Sequence, residues 1–241
     1  MRGRLVRRED LTDADRNAMY GLLAGHFQGV ARERFAADLA DKTWALLLED
    51  EAGLRGFSTL HLYESSPPGE EVCTVVYSGD TIVDPAAWGS AALPRCWIAA
   101  VRRLREEHPH GRLWWLLLTS GYRTYRFLPV FWKDFWPRWN APTPPEAQAR
   151  MDFLVREKLG DLYRKEEGIV RFPEPQRLSG GLAEVPEGRL ADPHVAFFLA
   201  KNPGWVEGDE LVCLTEIAEA NLTAAGRRMW RGYNGSAWNR S

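Results

Sequence analysis

One stretch, TVVYSGDTIVDPAAWGSAALPRCW at 74–97, constrains the fold more than any other. It begins as β-branched, apolar strand sequence, breaks at Pro85 and passes Gly89. Beyond that, Leu93, Trp97, Val101 and Leu104 recur at helical spacing to about His108, with Arg95, Arg102 and Arg103 off the apolar side. The near-continuous apolar run RLWWLLL at 112–118 then reads as a buried strand. Such a strand–helix–strand unit crosses over right-handed and sets its two strands side by side, parallel or splayed.

The strands upstream are joined differently. TWALLLED at 43–50 and LRGFSTLHLYE at 54–64 flank a turn around Glu51 and Gly53, which predicts a hairpin. The third strand, 72–83, is long and bent at Gly79. Two helices precede them. In LTDADRNAMYGLLAGHF, Thr12 is the N-cap, Asp15 sits three residues on, and Met19, Leu22, Leu23 and Phe27 form a stripe. ARERFAADLADK carries Phe35 and Leu39 four apart. The order α-α-β-β-β-α-β-α, with one crossover among hairpin strands, predicts an α/β fold with a mixed sheet. TSGYRTYRFL turns into a further helix, which Pro129 disturbs.

The pattern changes after Pro142. A helix is expected from about Glu146 to Lys165, then a Gly- and Pro-rich loop over 168–193. HVAFFLAKNPGW and DELVCLTEI read as two strands joined by Asn202, Pro203 and Gly204, able to complete the same sheet. This divides the chain into a core, 1–140, and a C-terminal α/β extension, 141–241, that completes or covers the same domain. The basic, aromatic tail RRMWRGYNGSAWNRS is either disordered or docked.

Charge and composition exclude several classes. The net charge of -2, with signs interspersed, argues against a dedicated nucleic-acid or membrane-surface protein. The chain has no apolar run of about 18 residues, so no membrane span is expected. Cys73, Cys96 and Cys213 lie far apart in apolar runs, as buried thiols of a reducing cytoplasm do. The start MRGRLVRRED lacks an apolar segment after its charges, so no signal peptide is expected. No H-x-x-x-H or C-x-x-C spacing suggests a metal, and Ser78-Gly79 is not a G-x-S-x-G elbow. The 11 tryptophans and 10 phenylalanines supply either a thick aromatic core or a wide apolar pocket for a long ligand group.

Gly89, with the small Ser90, Ala91 and Ala92, opens the central helix, where free N–H groups and the helix dipole favour an anion such as phosphate. Small residues there equally serve helix-on-sheet packing. The loop is neither a Walker loop nor a dinucleotide fingerprint. Element order and loop together resemble the GNAT (acyl-CoA N-acyltransferase) family over about 11–139. Val83-Asp84-Pro85 matches its V-x-P, and Gly89 and Ala91 match its pyrophosphate loop [QR]-x-x-G-x-[GA]. Ala86 and Trp88 depart from it, leaving the phosphate site to backbone N–H groups, with Arg95 reaching back.

The resemblance implies a GNAT-like, mostly antiparallel central sheet flanked by helices. It also implies acyl-CoA as donor, held by Ile82, Val83, Trp88, Gly89, Ser90, Ala91, Ala92 and Arg95, or an acyl group delivered on an acyl carrier protein. The acceptor is an amine-bearing small molecule or peptide. Asp80 is implied as base, Tyr125 (Tyr122 second) as the acid that protonates the thiolate, and His26 as a groove-lining base. A free N–H near Ile82 or Val83 would face the thioester oxygen, and Arg123 and Arg126 could reach a 3′-phosphate. A capping Asp80, a core-packed Tyr125 and a surface His26 are the structural alternatives. DLADKTWALLLED, GFSTL, SGDTIVDPAAWG and GYRTYRFLP look like a bacterial GNAT-like subgroup with a C-terminal extension; fatty acylation of peptides is one specialisation. A non-catalytic module that binds or senses acyl-CoA is the other reading.

Overall fold

The computed structural model describes residues 1–232. Its strands are β1 (Arg2–Arg7), β2 (Phe27–Gln28), β3 (Trp44–Asp50), β4 (Gly53–Ser65), β5 (Cys73–Val83), β6 (Leu113–Thr119), β7 (Phe135–Trp136), β8 (Tyr163–Arg164), β9 (Ile169–Val170), β10 (Arg177–Leu178) and β11 (Glu210–Glu216). Its helices are α1 (Asp13–His26), α2 (Arg32–Ala40), α3 (Ala92–Glu107), α4 (Tyr122–Tyr125), α5 (Phe127–Phe131), α6 (Pro145–Leu159), α7 (Glu187–Leu190), α8 (Pro193–Lys201) and α9 (Ala224–Arg231).

A central sheet runs β1-β3-β4-β5-β6-β11-β9-β8, with β7 on the free edge of β11. Among the described residues only β5 and β6 pair in parallel; the other neighbours in this sheet are antiparallel. This is the mixed, mostly antiparallel sheet flanked by helices that the GNAT resemblance implies. Alternation along β3 explains the layering: Trp44 and Leu46 face the cluster under α3, while Ala45 and Leu47 face the one under α1 and α2. A third cluster lies between β5, β6, β11 and α6. Thr12 and Asp15 form the expected capping box at α1.

Three features differ from the sequence expectations. β1 is an additional edge strand on β3, where Leu5 points into the core and Gly3 gives Cys96 Sγ room. The helix expected to reach Lys165 stops at Leu159, before Gly160 at φ +54. HVAFFLAK is a helix, not a strand: Asp192 caps it, Pro193 occupies its first turn, and Val195 and Phe198 are the buried pair on one face. DELVCLTEI is the strand β11 and enters the sheet beside β6. Of the tail, α9 docks with Trp230 buried, and Arg102 donates to the Trp230 carbonyl. The rest of the tail, 233–241, lies outside the described residues. Among the described residues no helix is long and apolar enough to cross a membrane.

Candidate active site

The parallel pairing of β5 with β6 runs from Thr74 opposite Leu113 to Ser78 opposite Leu117 and ends there. On the other edge of β5, Ser78 pairs with Leu60 and Thr81 with Ser58, so the single Thr59 faces both Gly79 and Asp80. That is a β-bulge, and it turns the end of β5 away from β6. The bulge accounts for Gly79. A Cβ there would lie 2.7 Å from both Lys42 Cε and Thr59 Oγ1. Gly89, by contrast, has open space where a Cβ would stand.

Past the bulge, β5 keeps its bonds to β4 and loses those to β6. Asp84 N donates to the Arg55 carbonyl, and Phe57 stands opposite Ile82. Alternation then turns the N–H of Ile82 toward β4, and those of Thr81 and Val83 into the splayed gap. Of the two residues the resemblance offered for this role, Val83 therefore has the free amide. Its carbonyl accepts from the indole N–H of Trp88 at 2.9 Å.

The loop after β5 is ordered by its own side chains. Asp84 accepts from Ala86 N and is held by Arg55, and Ser90 Oγ accepts from Ala92 N. The N–H groups of Gly89 and Ala91 bond to nothing within the described residues. Arg95 donates to the Ala91 carbonyl at 3.3 Å, which puts its guanidinium at the start of α3. A second cation comes from α4: the Arg123 guanidinium stacks 3.9 Å above the exposed Trp88 ring. A cation thus stands beside the loop in which Ala86 departs from the basic pattern. Arg126, also considered for a phosphate, is instead paired with Asp192 at 3.0 Å.

Between loop and bulge lies a cleft lined by Ser58, Ser78, Thr81, Leu93, Trp97, Trp115 and Phe127, with a volume of about 20 Å³. That is the room of a single water. The aromatics behind it are packed against one another. Trp97, Trp115 and Trp132 run ring to ring at 4.8 and 4.9 Å, and Tyr125 meets Phe135, Phe197 and Phe198. Among the described residues these aromatics pack into the core, and no wide apolar pocket opens between them.

The opposite face of the sheet carries the charge. Asp80 sits at the bulge and Glu210 opens β11, and both side chains are half-buried. Burial pushes Asp80 up to about 6, with Lys42 and Arg34 pulling it down and Asp38 raising it. Burial pushes Glu210 up to about 8, Asp80 adds to this and Lys42 opposes it. Burial, Glu210 and Asp80 likewise hold the Tyr77 hydroxyl well above the ordinary phenol range. Lys42 and Lys158 stand 5.4 and 5.8 Å from the centre of that ring.

Two expected site residues lie elsewhere. Tyr125 is fully buried, and its hydroxyl donates to the Pro137 carbonyl at 2.9 Å. It packs in the core and does not face the gap, because the α4 turn directs it at Phe198 while Tyr122, beside Arg123, takes the loop side. His26 ends α1 with Nδ1 against the Leu22 carbonyl at 2.8 Å, and it is not among the groups acting on Asp80. Its own carbonyl accepts from Ser179 N. The segment around Ser179 crosses the site: Arg34 on α2 bonds Glu174, β10 pairs with β2, and Arg123 on α4 donates to the Leu182 carbonyl. Lys42 and Glu210 were missed in the sequence. A lysine in a helix-to-strand turn and an acid opening a strand are both ordinary surface patterns.

No protein-family model matches the chain. No curated protein matches it either. Solved structures that resemble it include an Enterococcus faecalis protein described as a probable N-acyltransferase, with TM-score 0.44, 14% identity, and coverage of 56% of this chain and 33% of that one. The chain thus spans about a third of that protein's length. A GNAT family N-acetyltransferase from Escherichia coli, in complex with CoA, gives TM-score 0.39 and 18% identity, over 54% of this chain and 69% of that one. N-acetylglutamate synthase from Neisseria gonorrhoeae, complexed with coenzyme A and N-acetyl-glutamate, gives 0.36 and 14%, over 65% and 33%. All three are likenesses of fold at low score, and none of them identifies an activity for this chain.

Proposed function

We propose that the chain is an N-acyltransferase that moves an acyl group from coenzyme A thioester to a primary amine by direct attack. One observation carries this reading. The β5–β6 gap opens at the Gly89 loop on one face and at the Asp80 carboxyl on the other, with the Thr81 and Val83 amides aimed into it.

On the donor side, the free amides of Gly89 and Ala91 and the α3 dipole suit a pyrophosphate, with Arg95 and Arg123 as its cations. A thioester carbonyl laid in the gap meets the Thr81 and Val83 N–H groups, which stabilise the oxyanion as the carbonyl carbon becomes tetrahedral. On the acceptor side, Asp80 is the base. Its pKa of about 6 leaves it ionised at neutral pH and able to take a proton from the attacking amine. Tyr122, beside the loop, replaces Tyr125 as the hydroxyl available to the leaving thiolate.

The acyl group is short in this reading. A fatty chain needs a channel, and the cleft holds about 20 Å³ before the packed tryptophans. The test is mass spectrometry of the products formed from acetyl-CoA and a panel of primary amines, for the wild-type chain and Asp80→Asn. Amide formation that falls at least a hundredfold in the variant is the expected result. Coenzyme A binding without amide formation would instead make the chain an acyl-CoA sensor.

A further inference from the structure

The outer edge of β11 is covered at both ends and open in the middle. β7 pairs there with Leu214 and Thr215, and β9 with Glu210 and Leu211, which leaves a notch at Val212 and Cys213. Val212 N donates outward, to the Gly168 carbonyl at 3.0 Å, and alternation aims the Val212 carbonyl the same way. Among the described residues no backbone donor meets that carbonyl. Gly168 N closes the β8–β9 turn on the Arg164 carbonyl at 2.8 Å, and Pro137, which follows β7, has no N–H. Val212 is fully buried, so its carbonyl is an orphaned acceptor at the floor of the notch.

A cavity of about 250 Å³ stands over this floor, more than ten times the room in the β5–β6 cleft. Gln148 and Met151, one turn apart on α6, form a wall, and Pro137 lies beside them. Lys165 and Glu166 from the β8–β9 turn and Lys201 at the end of α8 are exposed and form the rim. β6 and β11 separate the cavity from the β5–β6 gap, a distance of two strand spacings, or about 10 Å.

The polar groups of the cavity fall into two sets. Acceptors lie inside: the Val212 carbonyl, and Gln148 Oε1, whose own Nε2 donates to Asp152 at 2.6 Å. Cations stand at the rim: Lys165, shared with Asp152 at 3.2 Å, and Lys201, which makes no ion pair among the described residues. A simple anion satisfies the rim and meets acceptors inside. A simple amine satisfies the acceptors and meets lysines on the way in. The two lysines are matched by Glu166 and Asp152, so the surroundings are neutral overall and suit a ligand of zero net charge rather than a phosphate.

We infer that this notch is a second binding site and that it takes a small α-amino acid with an uncharged side chain. The ammonium group donates to the Val212 carbonyl and Gln148 Oε1, the carboxylate pairs with Lys201, and the side chain rests on Met151 and Pro137. An orphaned buried carbonyl then gains the donor it lacks. The inference stands apart from the acyl-transfer reading: it uses none of the residues given a role there, and its test needs no turnover.

The test is a two-dimensional NMR titration of the full chain carrying carbon-13 methyl-labelled methionine. The chain has 4 methionines, and Met151 is the one that lines the cavity; Met151→Leu assigns its signal. L-alanine and L-serine, added without any thioester, are expected to move the Met151 signal saturably at millimolar concentration, while Met19, buried under α1, stays still. Lys201→Gln, at the exposed end of α8, is expected to weaken this binding at least about fivefold. Asp80→Asn is expected to leave it unchanged. Acetate and methylamine, each with half of the charge pattern, and inorganic phosphate are expected to leave the Met151 signal in place at the same concentration. Stillness of Met151 with both amino acids, equal affinity in Lys201→Gln, or a response to phosphate, acetate or methylamine alone overturns the assignment. Loss of the shift in Asp80→Asn places the amino acid at the β5–β6 gap and overturns it as well.

Discussion

Replacing Glu210 by Gln gives an unusual expectation: a variant that loses a half-buried acid yet is more stable than wild type, and only at alkaline pH. Burial and Asp80 raise the Glu210 carboxyl from 4.5 to about 8 in the folded chain. Between those values the folded chain binds more protons than the unfolded one, so stability falls as pH rises and levels off above pH 8. At about 1.4 kcal/mol per unit, the full shift would cost about 5 kcal/mol. Glu210 is half-buried and shares its environment with Asp80, so about 2–3 kcal/mol is the working figure once solvent screening is counted. Glutamine keeps the size and removes the ionisation. Urea denaturation followed by tryptophan fluorescence at pH 5 and pH 8.5 reads this directly. Wild type is expected to lose about 2–3 kcal/mol between the two, and Glu210→Gln to lose much less and to be the more stable protein at pH 8.5. Equal slopes in the two proteins, or a wild type that gains stability with pH, would refute the reasoning.

Three other substitutions separate roles that the sequence left open. Tyr125→Phe removes the hydrogen bond to Pro137 and should cost about 1 kcal/mol of stability with turnover intact; a large fall in kcat with an unchanged melt would restore Tyr125 as the acid. Gly79→Ala places a methyl 2.7 Å from Thr59 Oγ1 and Lys42 Cε and should destabilise by about 1–3 kcal/mol, with thermal melting as the readout. An unshifted melt would mean the bulge relaxes freely. Arg123→Ala removes the cation over Trp88 and should weaken coenzyme A binding about threefold by calorimetry, an effect that salt should diminish in wild type. Equal affinities would remove Arg123 from the donor site.

The elements around the gap were legible because each had a local cause. Thr12 and Asp15 announced α1, the apolar run at 44–48 ahead of the turn around Gly53 announced β3, and the Pro85 break followed by an amphipathic run announced α3. β1 was hidden by its composition: RGRLVR is an arginine-rich edge strand with only Leu5 and Gly3 buried, so it read as a charged terminus. HVAFFLAK misled because a helix of nine residues with a short apolar run cannot be told from a strand by period, and the Asp192–Pro193 start signal was overlooked.

Asp80 and the Gly89 loop could be singled out in the sequence as candidates because strand, bulge and helix start follow each other in the chain. Glu210 and Lys42 could not, since each joins Asp80 only through strand pairing that no local pattern encodes. Tyr125 was misplaced because a tyrosine in a short helix does not reveal which face its ring takes. Its neighbour Tyr122 is also buried and lies under the Arg123 guanidinium, 4.7 Å from the ring centre.

Calorimetric titration of the full chain with coenzyme A, acetyl-CoA, octanoyl-CoA and palmitoyl-CoA tests most directly whether the β5–β6 gap seats an acyl donor. Saturable binding, with acetyl-CoA at least as tight as the longer thioesters and all weakened by Arg123→Ala, is the expected result. No binding to any of the four would contradict the donor site. Affinity rising with chain length would contradict the closed aromatic floor behind Trp97 and Trp115.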